Sequence, residues 1–171
     1  MHGRTTFWAT LVATGAVSLA LITGAQGAAE RGSYASVQVA CAGNGQKMRC
    51  YHRETRRRAG LPLLRDNRRL DRAALLKKKR IVRCRRITHE PCGEPFERPF
   101  RLAGYLPWPG SWIVGENLAW GWDTPWAAFQ ALMRSPTHRA NILRRAFREL
   151  GVWQGRSPWG RFWVLEYGHR W

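Results

Sequence analysis

Three residues in this sequence combine a side chain able to move protons or hold a metal with surroundings that set them apart. His89 lies in Ile87-Thr88-His89-Glu90-Pro91-Cys92, Glu116 in Gly115-Glu116-Asn117-Leu118-Ala119-Trp120-Gly121, and His138 in Ser135-Pro136-Thr137-His138-Arg139-Ala140-Asn141-Ile142-Leu143. If folding brought them together, two imidazoles and one carboxylate would make a competent shell for zinc with a position left for water. They would serve equally as a metal-free acid and base pair. The plain alternative is that they hydrogen-bond one another and hold the floor of a cleft. Asn117, Arg139 and Asn141 read as scaffold for the loop and helix that carry them.

Tryptophan adds a second signal. Trp108, Trp112, Trp120, Trp122 and Trp126 crowd the segment around Glu116, and aromatic rings beside a polar cleft suit stacking on sugar rings or holding apolar chains. Trp120 and Trp126 read as core filler, Trp108 and Trp112 as candidate ligand-binding residues, and Trp159 as an exposed ring at a hairpin tip.

The chain that must position these residues begins with one basic residue, Arg4, an apolar run from Phe7 to Ile22 and a small-residue stretch ending near Ala29. This reads as a signal peptide over residues 1–27; the run falls short of the roughly 20 apolar residues that span a bilayer, and an uncleaved anchor is the competing reading. Nothing later could cross a membrane. An exported chain meets an oxidising compartment, so Cys41, Cys50, Cys84 and Cys92 are expected to pair. Of the three pairings, Cys41 with Cys50 and Cys84 with Cys92 are favoured because each closes a short loop, stabilising by about 2 to 3 kcal/mol in the loop-entropy model. A zinc cluster of these cysteines is disfavoured because no CxxC pair occurs.

The formal charge is +18, and the leader removes only one unit of it. Between Arg53 and Arg86 stand fifteen Lys or Arg against three acids, which implies a basic face and a polyanionic partner such as an anionic envelope polymer or lipid. The competing reading is that a GC-rich genome, which inflates Arg, covers most of the same excess. No nucleic-acid recognition motif accompanies the charge, so only non-specific affinity for nucleic acid would follow.

Residues 28–46 read as an N-terminal lead-in, and 47–171 as one domain. Apolar spacing at Met48, Tyr51, Thr55 and Ala59 predicts a helix from Lys47 to Ala59. Asp66 or Asn67 caps a second one through Leu70, Ala73, Ala74, Ile81 and Cys84, with Lys77, Lys78, Lys79 and Arg80 crowding its middle and making its exposed side basic. From Pro91 to Gly121 prolines and glycines interrupt every pattern, leaving one strand near Trp112 to Val114. Thr124-Pro125 and Ser135-Pro136 each open a helix. Leu150 to Gln154 and Phe162 to Tyr167 read as a hairpin. The order implies an α+β fold with a small antiparallel sheet packed between helical layers.

The same segments, in this order, resemble the bacterial form of the CAP superfamily, which groups cysteine-rich secretory proteins, insect antigen five and plant pathogenesis-related class-one proteins. The resemblance rests on Arg56 to Gly60 with Leu61-Pro62-Leu63, Thr88-His89, Gly115-Glu116-Asn117, Ser135 to Leu143, Gly151-Val152 and Tyr167-Gly168, covering about residues 47 to 168. It implies a three-layer α-β-α sandwich with a surface cleft where two His and two Glu converge. Three of those carry over as His89, Glu116 and His138. The fourth, a Glu in the helix before the second His, has no counterpart, since residues 118–148 contain only Asp123 as an acid, and Arg53 stands where Asn is usual.

The sequence therefore implies a secreted, extracellular or wall-associated protein, expected to be a monomer. Its first functional reading is a non-enzymatic binder or effector that engages an envelope component, lipid or glycan through the His/Glu cleft and basic surface. The alternative is a metal-assisted hydrolase using zinc on His89, Glu116 and His138. Whether the protein is an enzyme is left open.

Overall fold

A computed structural model describes Cys41, 43–106 and 109–171; the proposed leader, residues 28–40 of the lead-in and Trp108 lie outside the described residues. Helix α1 runs Asn44–Arg58, three residues earlier than the apolar spacing predicts, and buries the expected Met48, Tyr51 and Thr55. The Cys41–Cys50 disulfide ties its start to the chain ahead of it. A two-residue strand, β1 (Arg65–Asp66), leads to α2 (Arg68–Cys84), capped by Asn67, whose Oδ1 accepts from the amides of Arg69 at 2.9 Å and Leu70 at 3.3 Å. A single 3-10 turn at Pro91–Gly93 and a short helix α3 (Arg98–Leu102) follow. Then come β2 (Trp112–Trp120), α4 (Pro125–Arg134), α5 (Pro136–Leu143), β3 (Glu149–Ser157) and β4 (Gly160–Arg170).

Strand β2 is nine residues long where the sequence marks only three. Its full length comes from a partner far along the chain. It pairs antiparallel with β4 from Trp112↔Arg170 to Trp120↔Phe162, and such distant pairing overrides the local turn signals. The sheet order is β1-β3-β4-β2, antiparallel except for the parallel edge pair of β1 with β3. The expected hairpin is β3 and β4.

Because strand side chains alternate between faces, β4 serves two cores at once. Trp163, Leu165 and Tyr167 point to the layer of α1, α4 and α5, where Met48, Tyr51, Phe129, Ile142 and Phe147 complete one cluster. Phe162 and Val164 point to α2, against Ala74, Ile81 and Leu118. Helix α2 lies close on the sheet because β3 offers Gly151 there. A Cβ on Gly151 would stand 2.1 Å from the main-chain carbonyl carbon of Leu70, so no side chain fits without moving the helix.

Arg56 joins the pieces on the other side. It is fully buried, and its guanidinium donates to four carbonyls: Pro62 at 2.8 Å, Ile142 at 2.8 Å, Arg144 at 3.0 Å and Phe147 at 3.2 Å. One planar fork thus fixes the end of α1, the turn after it and the α5–β3 connection. An ammonium cannot span these acceptors. Arg56→Lys is expected to lower unfolding free energy by on the order of 3 kcal/mol, as charged hydrogen bonds are lost and carbonyls left buried. Urea denaturation of the two proteins, with equal slopes and a lower midpoint for the variant, checks this.

Candidate functional site

The site forms where β2, the loop after α2 and α5 meet. Helix α2 ends with Arg85 in the left-handed region at φ 52. The chain then doubles back so that Cys92 bonds Cys84, closing a ring that contains His89. Both expected disulfides are present, and the second directs the histidine. His89 Nδ1 lies 2.6 Å from Glu116 Oε1. In the neutral form of the ring, a carboxylate acceptor places the proton on Nδ1 and leaves Nε2 for the cleft. The His89 side chain is 52% exposed while that of Glu116 is fully buried.

Lys77 stands behind this pair. The sequence reading places it with Lys78, Lys79 and Arg80 on a basic exposed side, and the structure corrects that. Lys77 falls in register with Leu70, Ala73, Ala74 and Ile81 on the buried stripe of α2, and its side chain is 1% exposed. Its Nζ lies 3.2 Å from Glu116 Oε2, an ion pair by distance whose angles fall short of a hydrogen bond. It also donates to the main-chain carbonyl of His89 and sits 4.9 Å from the centre of the Phe96 ring.

A second buried carboxyl completes the cluster, and sequence reasoning missed it. Glu166 is opposite Glu116 in the β2–β4 register and is fully buried. Alternation puts both on the α2 face of the sheet. Burial first, and the charge of Glu116 second, push the Glu166 carboxyl well above the usual carboxylate value, against an opposing pull from Lys77. As a carboxylate it has no hydrogen-bond partner; protonated, it can donate to Glu116. A glutamate inside the apolar run Phe162-Trp163-Val164-Leu165-Glu166-Tyr167 is the signal that could have revealed it.

His138 joins the site as a neighbour, not as a ligand of Glu116. Its Nδ1 meets Ser135 Oγ at 2.8 Å, which explains why Ser135 makes no side-chain cap on α5, whereas Thr124 caps α4 through the Ala127 amide at 3.1 Å. Partial burial, and then the charge of His89, lower the His138 pKa. The scaffold roles of the two asparagines hold. Asn117 Nδ2 donates to the His138 carbonyl at 2.9 Å, and Asn141 Nδ2 lies 3.0 Å from both the Glu116 carbonyl and Asn117 Oδ1. Arg139 is exposed.

Two cavities adjoin these histidines. One, of about 380 Å³, is lined by Thr88, His89, Glu90, Phe96, Gly115, Glu116 and Asn141. The other, of about 330 Å³, is lined by Leu118, Ala119, Trp120, Trp122, Ala131, Leu132, Ser135 and His138. Trp120 is 50% exposed and Trp122 37%. The reading of Trp120 as core filler is corrected: it is the last residue of β2, where the strand leaves the sheet before Gly121 at φ 77. Trp126 packs edge-on to Tyr51 as expected, and Trp159 is exposed at the hairpin tip. Trp112 is half-buried against the α2–α3 layer with the Arg101 guanidinium over its ring, and lines neither cavity.

The candidate zinc ligands do not fit an ion as they are arranged. Glu116 Oε1 meets His89 Nδ1, and Oε2 faces the Lys77 ammonium at ion-pair distance. Among the described residues no group of three or more His, Cys, Asp or Glu side chains stands where it could hold a metal.

The raised Glu166 pKa fixes the sign of a pH effect. The folded protein holds a proton that the unfolded chain releases above about pH 4.5, so this group makes stability fall as pH rises from there until Glu166 itself ionises. Glu166→Gln keeps a donor toward Glu116 and removes that proton. Relative to wild type, the variant should gain up to about 1.4 kcal/mol per pH unit across this window. Denaturant midpoints of both proteins between about pH 5 and 8 measure it; parallel profiles would show that Glu166 is ionised in the fold.

A protein-family model described as the cysteine-rich secretory protein family, CAP, matches residues 50–167. Among solved structures, an outer surface protein from Borrelia burgdorferi superposes with TM-score 0.64 at 18% identity, covering 72% of this chain and 90% of that one. An extracellular protein containing an SCP domain from Bacillus anthracis gives 0.63 at 23% identity, over 74% of this chain and 40% of that one. A cysteine-rich secretory protein from Staphylococcus aureus gives 0.55 at 16%, over 72% and 37%. This chain thus spans well under half the length of the latter two. No curated protein sequence matches. With the family model covering more than half of the chain, and the fold, the two disulfides and the His89–Glu116 pair in place, this protein belongs to the CAP family of cysteine-rich secretory proteins.

Proposed function

We propose that this protein is exported and acts outside the cell as a non-enzymatic binder of an anionic envelope glycan. The observation that carries the reading is the contrast between the two halves of the site. The carboxylate that would have to serve as base or metal ligand is fully buried, facing His89 with one oxygen and the Lys77 ammonium with the other, whereas two exposed tryptophans border an open cavity that also holds His138. Indole faces stack on sugar rings. His89, oriented by Glu116, offers an acceptor nitrogen suited to a sugar hydroxyl.

The basic surface supplies the second half of the attraction. Arg68, Arg69, Arg72, Lys79 and Arg83 are exposed along α2, and Arg85 and Arg86 just after it, so an anionic polymer would be drawn by a field that salt screens. Export agrees with the two disulfides, and among the described residues no helix is long and apolar enough to cross a membrane. The related proteins from Bacillus anthracis and Borrelia burgdorferi are described as extracellular and outer-surface proteins.

The test uses the oxidised protein and two immobilised polysaccharides of matched length, one a polyuronate and one uncharged. Retention on the polyuronate at low salt and release near about 1 M salt are expected. Trp120→Ala is expected to weaken binding about tenfold, roughly 1.4 kcal/mol, without changing the denaturation midpoint. A protein that fails to bind at low salt would sink the proposal. Binding untouched by Trp120→Ala and Trp122→Ala would move the contact off the cleft and onto charge alone.

A further inference from the structure

The ammonium of Lys77 is surrounded as a bound cation would be. A carboxylate oxygen of Glu116 lies 3.2 Å away, the His89 main-chain carbonyl accepts from it, and the Phe96 ring presents its face at 4.9 Å. Glu166 lies across the strand pair from Glu116, near enough for the Lys77 charge to act on it. Carboxylate and main-chain carbonyl oxygens are the ligand types of a hard divalent ion. Here they converge on a group delivered by α2 from a core position of its own stripe.

We infer that Lys77 is the resident cation of the His89–Glu116 centre, standing where a divalent metal ion would otherwise bridge the Glu116 carboxylate and the His89 carbonyl. Three consequences follow from one side chain. The buried Glu116 carboxyl is given a cationic partner that cannot diffuse away. The His89 main chain is fixed from below while the Cys84–Cys92 ring fixes it from the side. The His89 ring is thereby aimed at the cleft without a metal, and the charge that orients it is covalently part of the fold.

Calorimetric titration of the oxidised protein with Mn²⁺ and with Zn²⁺ tests this. Wild type is expected to show no site that depends on Glu116. Lys77→Ala vacates the position and should bind Mn²⁺ at least about a hundredfold more tightly than wild type, with the gain lost in Lys77→Ala/Glu116→Gln. Since Lys77→Ala leaves a buried carboxylate unpaired, its melting temperature is measured with and without Mn²⁺, and rescue by the ion counts as support. A folded Lys77→Ala protein blind to both metals overturns the inference. So does stoichiometric metal uptake by wild type that Glu116→Gln abolishes. If Lys77→Ala folds under neither condition, ¹⁵N NMR of the wild-type Lys77 ammonium decides: a slowly exchanging signal unmoved by metal supports the assignment, and one displaced by metal refutes it. No glycan enters either arm, so this inference stands or falls separately from the proposed ligand.

Discussion

Two carboxyl groups and one ammonium are shut inside an otherwise apolar layer between α2 and the sheet, and their mutual neutralisation constrains the structure around them. An isolated ion in such a place costs several kcal/mol even after relaxation. The position of α2 is therefore tied to the sheet by more than apolar burial: Lys77 must stay over Glu116, and Gly151 lets the helix come near enough for it to do so. With one ammonium for two carboxyls, burial and the neighbouring Glu116 push the Glu166 carboxyl well above the usual carboxylate value. The same arrangement fixes what the surface presents, because His89 takes its orientation from the oxygen of Glu116 that Lys77 does not occupy.

The opposite face of the sheet solves a different problem with neutral groups. Asn117 turns away from α2, and its amide joins β2 to the His138 carbonyl on α5, while Asn141 reaches back to β2. Tyr167, next to Glu166 on β4, points to this side as well, its hydroxyl 2.8 Å from His52 Nε2 and 3.2 Å from Asn117 Nδ2. Adjacent residues of single strands thus serve both halves: Glu116 and Glu166 the charged one, Asn117 and Tyr167 the neutral one. The cleft lies where the two networks meet. His89 is set by the first and His138 by the second.

How much of this the sequence discloses depends on the range of the interaction involved. Local devices read well: the Asn67 and Thr124 caps, the hairpin, and both disulfides depend on residues a few positions apart. The family resemblance located His89, Glu116 and His138 because its motifs are contiguous. What escaped was set by distant pairing. Strand β2 extends six residues past its legible stretch because β4, some fifty residues later, supplies its partners. Glu166 enters the site only through that register. Trp120 is exposed because the sheet ends there, a fact that no local pattern around Glu116 carries.

Lys77 lies between these cases, and its misreading is instructive. Composition puts it in a run of four cations, where a solvated face is the ordinary meaning, but periodicity puts it at the fourth position after Ala73 and the fourth before Ile81, on the buried stripe. The two cues conflict, and the helix obeys geometry: a side chain at that angle points at the sheet whatever its charge. The burial is tolerable only because Glu116 lies opposite, so neither residue can be interpreted alone. A lysine at a core position of a helix, together with a glutamate inside a strand otherwise buried on both faces, is thus a joint signature. Each residue is improbable by itself, and each is explained by the other.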